Sequence, residues 1–497
     1  MSDKSVIIIG AGLAGLAAGC YAQMNGYRSH IFEQHSKPGG VCTGWKRNGY
    51  TVDGCIHWLM GCKPGAFFHH VYREVGALEN NCLMYLDQYG RIMVEGGGKR
   101  LDVTADLDRL SNDMKALSPE DAGVIDEIIA GGRAAQGLEL APDKPRELMS
   151  LFDKGKEMWR LRKAVKYVSR YNMSVISFAQ RINNPFLRWA VTNTFVPEMP
   201  MLFLFMLLAQ LADGQLATVE GGSLAFASGI VRRYEALGGQ FTYQASVEEI
   251  LVENDRAVGV RLADGTQQRA DVVISAADGY STIFKMLGGR YVDQELRDRY
   301  DKWPLFRPIV MVTFGVAGQF PGKPAEHMMR LDMPFAIGTG LVDALGFHIF
   351  NHDPTLAPPG KTVVQVVAET EFDYWEELQE DHVAYEAEKE RVAGEVLKRL
   401  EWYLPGISAQ VEMTDVATPH TFWHYTRNRR GAYEGWLMTP DILRVRVAKT
   451  LPGLANFYMA GQWVEPGGGV PAVIPSGRQA IQLLCHRDGK RFVTSVP

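Results

Sequence analysis

The sequence has no C-x-x-C pair, no large charge excess and no apolar run long enough to span a membrane, and each absence removes a class of function. Apart from Cys485, the six cysteines (Cys20, Cys42, Cys55, Cys62, Cys82, Cys485) crowd the first sixth of the chain. That distribution is unlike a disulfide framework and suits a reducing compartment. Cys55, His57 and Cys62 do not form C-x2–4-C with a paired second half, and His69–His70 lacks the i, i+4 spacing of a helical ligand pair, so no metal is expected. A net charge of −5 with 22% charged residues offers neither the basic excess that favours nucleic acid nor the composition of a disordered chain. The longest apolar run, "MLFLFMLLAQLA" at 201–212, is shorter than the roughly 18–20 residues that cross a bilayer and reads as a buried or interfacial helix. The opening "MSDKSVIIIG" shows no charged n-region, long h-region or cleavage site, so a cytoplasmic protein is expected.

What is present starts with length. At 497 residues the chain exceeds what one hydrophobic core usually supports, so two domains are expected. "VIIIGAGLAGLAAGCYAQMNGYRSHIFEQ" reads as strand, glycine turn, helix, strand. Val6 to Ile9 have the continuous apolar character of a parallel strand buried on both faces. Gly10, Gly12 and Gly15 make G-x-G-x-x-G: the first permits the turn, the second lets backbone approach a pyrophosphate, and the third lets helix pack on strand. Leu13 and Ala14 open a helix whose free N–H groups face the phosphate. Glu33 ends the second strand about 20 residues on, where a carboxylate can accept from a ribose hydroxyl.

FAD and NAD share this fingerprint. "SKPGGVCTGWKRNGYTVDG" then places Gly39–Gly40 in a second phosphate-side loop ahead of a short strand, and "LANFYMAGQWVEPGGGVPAVIPSGRQAIQLLC" supplies a strand, Gly461, a bend at Gly467–Gly469 and a helix beginning near Val473. The middle contributes "GGSLAFASGIVRRY", "ASVEEILVE", a hairpin turned by Asp264–Gly265, and "ADVVISAAD". Together with "RGAYEGW", these segments resemble the phytoene desaturase and carotenoid oxidoreductase family, with retinol saturase and carotenoid isomerase, among the two-domain flavoproteins related to amine oxidases. The resemblance implies an α/β fold: a Rossmann-type three-layer FAD domain built from residues 1–60, 216–290 and 446–497, and an α+β substrate domain from 61–215 and 291–445. It implies FAD as cofactor, held by the fingerprint residues above, by Gln34, Gly39, Gly40 and Val41, by Cys55 and Ile56, and by Val247 and Ala276. Gly461, Gly469 and Val470 would take the flavin end. Many relatives carry Arg after the Gly pair; here it is Val41, so Lys37 is expected to supply the charge.

The substrate region is less specific. "KGKEMWRLRKAVKYVSRY" at 154–171 is basic and amphipathic, either lying on an anionic membrane or packing as a solvated helix. "FVPEMPMLFLFMLL" could line a tunnel or be plain core. Glu198, between Pro197 and Pro200, could move a proton or cap a helix, and His424 or Tyr425 in "TPHTFWHYTRNRRGAYEGW" could do so or anchor a surface loop. "GYTVDGCIHWLMG" is implied to run along the flavin, leaving His57 as a proton carrier or a structural contact. The resemblance implies an enzyme moving hydride between flavin and a carbon–carbon bond of a long isoprenoid or polyene: desaturase, saturase or isomerase. No second nucleotide fingerprint is evident, so a quinone or oxygen is the expected electron acceptor. The rivals are a flavin amine oxidase and a flavin-free prenyl-lipid carrier of the GDP dissociation inhibitor type.

Overall fold

The computed structural model describes residues 4–138, 143–156, 158–159 and 170–497. Most of the basic 154–171 stretch, namely 157 and 160–169, lies outside the described residues.

The β-branched run Ser5–Ile9 forms a strand of a five-stranded parallel sheet with the order Phe457–Met459, Val272–Ser275, Ser5–Ile9, Arg28–Phe32, Gln240–Thr242. The two-residue period of a strand separates its faces. Val6 and Ile8 pack with the helices Leu13–Met24, Gly222–Ala236 and Val470–Arg487, while Ile7 and Ile9 pack with Val247, Ile250 and Val260. These last come from an antiparallel sheet of Val247–Glu253, Arg256–Leu262 and Gln267–Arg269, with Gly265 at φ +85° in its second turn. The result is the expected three-layer α/β unit assembled from separated segments.

A second, seven-stranded sheet has the order Val411–Ala417, Ile309–Val316, Thr362–Glu369, Gly340–Ile349, Glu326–Ile337, Gln88–Val94, Arg100–Thr104. Among these pairs the Glu326–Ile337/Gln88–Val94 pair is parallel and the others are antiparallel. The long helix His382–Tyr403 buries Val392, Val396 and Leu400 with residues of one face. The Met201–Ala212 helix is buried almost all round, as a sequence apolar at every position but Gln210 requires, against the helix Ala122–Ala135 and its neighbours.

Between the two sheets runs the hairpin Gly44–Arg47/Tyr50–Asp53, turned by Asn48–Gly49 with both residues at positive φ. Asn-Gly suits that turn because both central positions need left-handed backbone. The buried Asp53 then accepts from the Ser223 N–H (2.9 Å), the Ser223 hydroxyl and the Cys55 N–H (3.1 Å), and the Ser223 Oγ accepts from the Ile56 N–H (2.7 Å). This network fixes the segment Gly54–His57 against the start of the Gly222–Ala236 helix.

Candidate active site

One cavity of about 1620 Å³ extends from the glycine turn to the cavity-facing side of the seven-stranded sheet. A drug-sized ligand occupies a pocket of roughly 300–1,000 Å³, so there is room for a dinucleotide and a second molecule. At one end stand Gly10, Gly12, Glu33, Gly39, Gly40, Val247 and Ala276, and next to them Gly461, Gly469 and Val470. Gly12 and Gly469 are the N-cap residues of the helices Leu13–Met24 and Val470–Arg487, and neither helix has a side-chain cap. Two helix N-termini, with positive dipole ends, therefore open into one cavity. Glu33 accepts the Ala11 N–H (2.7 Å) and His35 N–H (2.8 Å), one on each carboxylate oxygen, and burial raises its pKa. Those bonds fix the carboxylate while leaving it acceptor capacity.

The far part of the cavity is apolar: Trp58, Met60, Phe195, Met199, Phe203 and Met206 line it, with Phe195 and Phe203 stacked at 6.4 Å. Beneath it the sheet presents two rows. Met311, Val367, Gly346 and Met328 are successive register partners, and two residues along come Thr313, Gln365, His348 and Glu326. His57 lies over this polar row. Its Nε2 is 3.2 Å from Gln365 Oε1 and its ring centroid is 4.0 Å from that of His348, which pairs with Glu326. Burial pushes the His57 pKa down to about 4 and that of His348 well below its ordinary value, and raises that of Glu326 well above its own. Across the cavity, burial alone pushes Glu434 up to about 7.

The family model described as flavin containing amine oxidoreductase matches residues 13–485. The chain belongs to that family. It is 27% identical over 505 residues to the phytoene desaturase (lycopene-forming) of Pseudescherichia vulneris, covering 97% of this chain and 99% of that one. To the chloroplastic prolycopene isomerase of Arabidopsis thaliana it is 25% identical over 498 residues, covering 95% and 81%. An oxidoreductase from Methanosarcina mazei shares the fold, with a TM-score of 0.61 at 18% identity over 96% of this chain and 100% of that one.

FAD is the cofactor of a flavin-containing amine oxidoreductase of this kind, and the cavity fits it. The decisive observation is Gly12. Its φ of −67° is open to any residue, and a Cβ there would meet no protein atom within 4 Å. Nothing in the protein itself requires glycine at that position, whereas a ligand lying against the backbone does. Gly15 differs: a Cβ would come within 2.0 Å of the Gly10 carbonyl oxygen, so its bareness serves helix–strand packing, and it does not line the cavity.

Of the remaining sequence candidates in this flavin-containing amine oxidoreductase, Leu13, Ala14, Gln34, Val41, Cys55, Ile56, His57, Glu198 and Tyr425 line the cavity. Lys37 and His424 do not. Lys37 points to the Gly44 carbonyl (3.5 Å). His424 lies in the helix Pro419–Thr426, which turns Phe422 and Thr426, four residues apart, toward the cavity; at about 100° per residue the side chain at 424 leaves on another side, where it packs against Tyr425 and His420. Glu198 is not a stranded acid: it is ion-paired with Arg307 at 3.1 Å and its side chain is 37% exposed. The Tyr425 carbonyl accepts from Gln34, and the residue is about half exposed at 48%. The residues that sequence spacing missed are Glu326, His348, Gln365 and Glu434. The first three carry a signal only once strand register is known, while Glu434 was visible within "RGAYEGW" with nothing to mark it.

Proposed function

We propose that this protein is an FAD-dependent oxidoreductase acting on a carbon–carbon bond of a long isoprenoid or polyene. The observation that supports it is the continuity of one cavity from a dinucleotide-type glycine turn into an apolar arm lined by Met and Phe. The curated relatives that are phytoene desaturases and prolycopene isomerases support the same reading. FAD, when bound, supplies the two-electron chemistry of hydride transfer. The chain would hold the pyrophosphate at Gly10, Gly12 and the Leu13–Met24 N-terminus, and the ribose at Glu33. The N-terminal amides of Val470–Arg487 would face the end of the flavin where negative charge collects. Trp58, Phe195, Phe203 and Met206 exclude water and align the extended substrate.

The proton that accompanies the bond change is assigned to the Glu434 carboxyl, which is held near neutrality beside the Gly467–Gly469 bend, as a general acid–base group should be. His57 is less suited: it is neutral at physiological pH and its Nε2 is engaged by Gln365. A quinone or oxygen would complete the cycle. Exposed Leu151 and Phe152 just before the basic stretch, with exposed Met158 and Trp159 inside it, support peripheral membrane contact. No described helix is long and apolar enough to cross a membrane.

The test is anaerobic mixing of the purified yellow protein with lipid extracts and defined polyenes. Bleaching or reoxidation of the flavin by a polyene supports the assignment. Hydrogen peroxide formation on amines, with no response to polyenes, would replace it with an amine oxidase, and a colourless protein that binds prenyl lipid would replace it with a carrier.

A further inference from the structure

We propose that His57, His348 and Glu326 form a binding site for a divalent first-row transition-metal ion, with Zn2+ as the probe. One ligand atom from each of the three lies within 4.8 Å of the others, and among the described residues this is the one such cluster of three. Glu326 and His348 are direct register partners on antiparallel strands, so their side chains stand together on the face that lines the cavity.

His57 is held over them by a defined hydrogen-bond chain. The Gln365 amide nitrogen donates to the Asp53 carbonyl (2.8 Å) and is 3.1 Å from Thr313 Oγ1. The Asp53 carbonyl can only accept, so the amide orientation is fixed and Gln365 Oε1 must accept from His57 Nε2–H (3.2 Å). The His57 proton therefore sits on Nε2, and Nδ1 keeps its lone pair. A ring nitrogen donating to an outer carbonyl while the other stays free is the arrangement that orients a metal-binding histidine.

Two imidazoles and one carboxylate suit Zn2+, Fe2+ and similar ions, and three protein ligands leave coordination positions for an oxygen-bearing molecule from the cavity. The ligands are separated by 269 residues between His57 and Glu326 (326 minus 57) and come from a loop and two strands, so no local spacing could have shown them. The site stands independently of the polyene reading.

The flavin-loaded protein is incubated with Zn2+, dialysed exhaustively against metal-free buffer, and its zinc measured by mass spectrometry beside its flavin absorbance. Close to one ion per chain is expected in the wild type and in His420→Gln, a histidine outside the cavity. Background zinc is expected in Glu326→Gln and His348→Leu. Flavin absorbance and circular dichroism report whether each variant has folded, and where one has not, the other decides. Co2+ substitution should add ligand-field bands beyond the flavin spectrum, absent in Glu326→Gln. Wild-type zinc no higher than in folded Glu326→Gln, or full zinc retention by both variants, overturns the site.

Discussion

At the scale of single residues, two glycines one helical turn apart do different work. Gly12→Ala adds a methyl group where the protein leaves space, so the fold should tolerate it while FAD affinity falls about tenfold or more, roughly 1.4 kcal/mol, measured by flavin titration of the apoprotein. Gly15→Ala places its methyl against the Gly10 carbonyl and should lower the melting temperature before cofactor binding is considered. Glu434 gives a pH prediction with a definite sign. Burial holds its pKa up at about 7 in the fold, against an ordinary value of 4.5. Between those values the folded state binds more protons than the unfolded one, so stability falls as pH rises, at a slope of at most about 1.4 kcal/mol per unit. Melting scans of Glu434→Gln should lack this slope, and its flavin-reduction rate should lose the inflection near neutrality. His57→Asn should retain that inflection; its disappearance in His57→Asn alone would return the proton role to His57.

At the scale of elements, the parts held together by local chemistry were readable in advance. The strand–turn–helix at Gly10–Gly15 and the Asp264–Gly265 turn each follow from residues adjacent in sequence, whereas of the Asn48–Gly49 hairpin only the second strand was expected. The C-terminal helix begins at Val470, earlier than the Val473 expected, because Pro471 falls in its first turn, where the missing N–H has no intrahelical partner; Pro475 lies inside the helix, where it removes the bond to the Pro471 carbonyl. The polar row Thr313–Gln365–His348–Glu326 was not readable, since strands taken singly show only isolated polar residues. Gln365 joins this row to the His57 segment. Gln365→Leu strands the Asp53 carbonyl and the His57 N–H, and should cost about 1–3 kcal/mol in a urea melt, with flavin binding largely kept.

At the scale of the whole molecule, the cavity joins the parallel sheet to the seven-stranded one, and its apolar arm limits what can enter. Met206→Trp, at the arm's wall, should weaken binding of a long polyene at least tenfold, read as a higher concentration for half-maximal flavin reduction, while flavin content stays unchanged. By itself the sequence determined the cofactor end, because a pyrophosphate site is made of backbone, glycine and one acid whose spacing within a strand–turn–helix is local. It also carried enough of the order of its segments to imply the family. The tertiary structure alone decided which side chains face that cofactor's neighbour: that His424 turns away, that Glu198 is paired with Arg307, and that His57 meets Glu326 and His348. Those facts depend on strand register and helix facing, and both are set by packing between residues hundreds of positions apart.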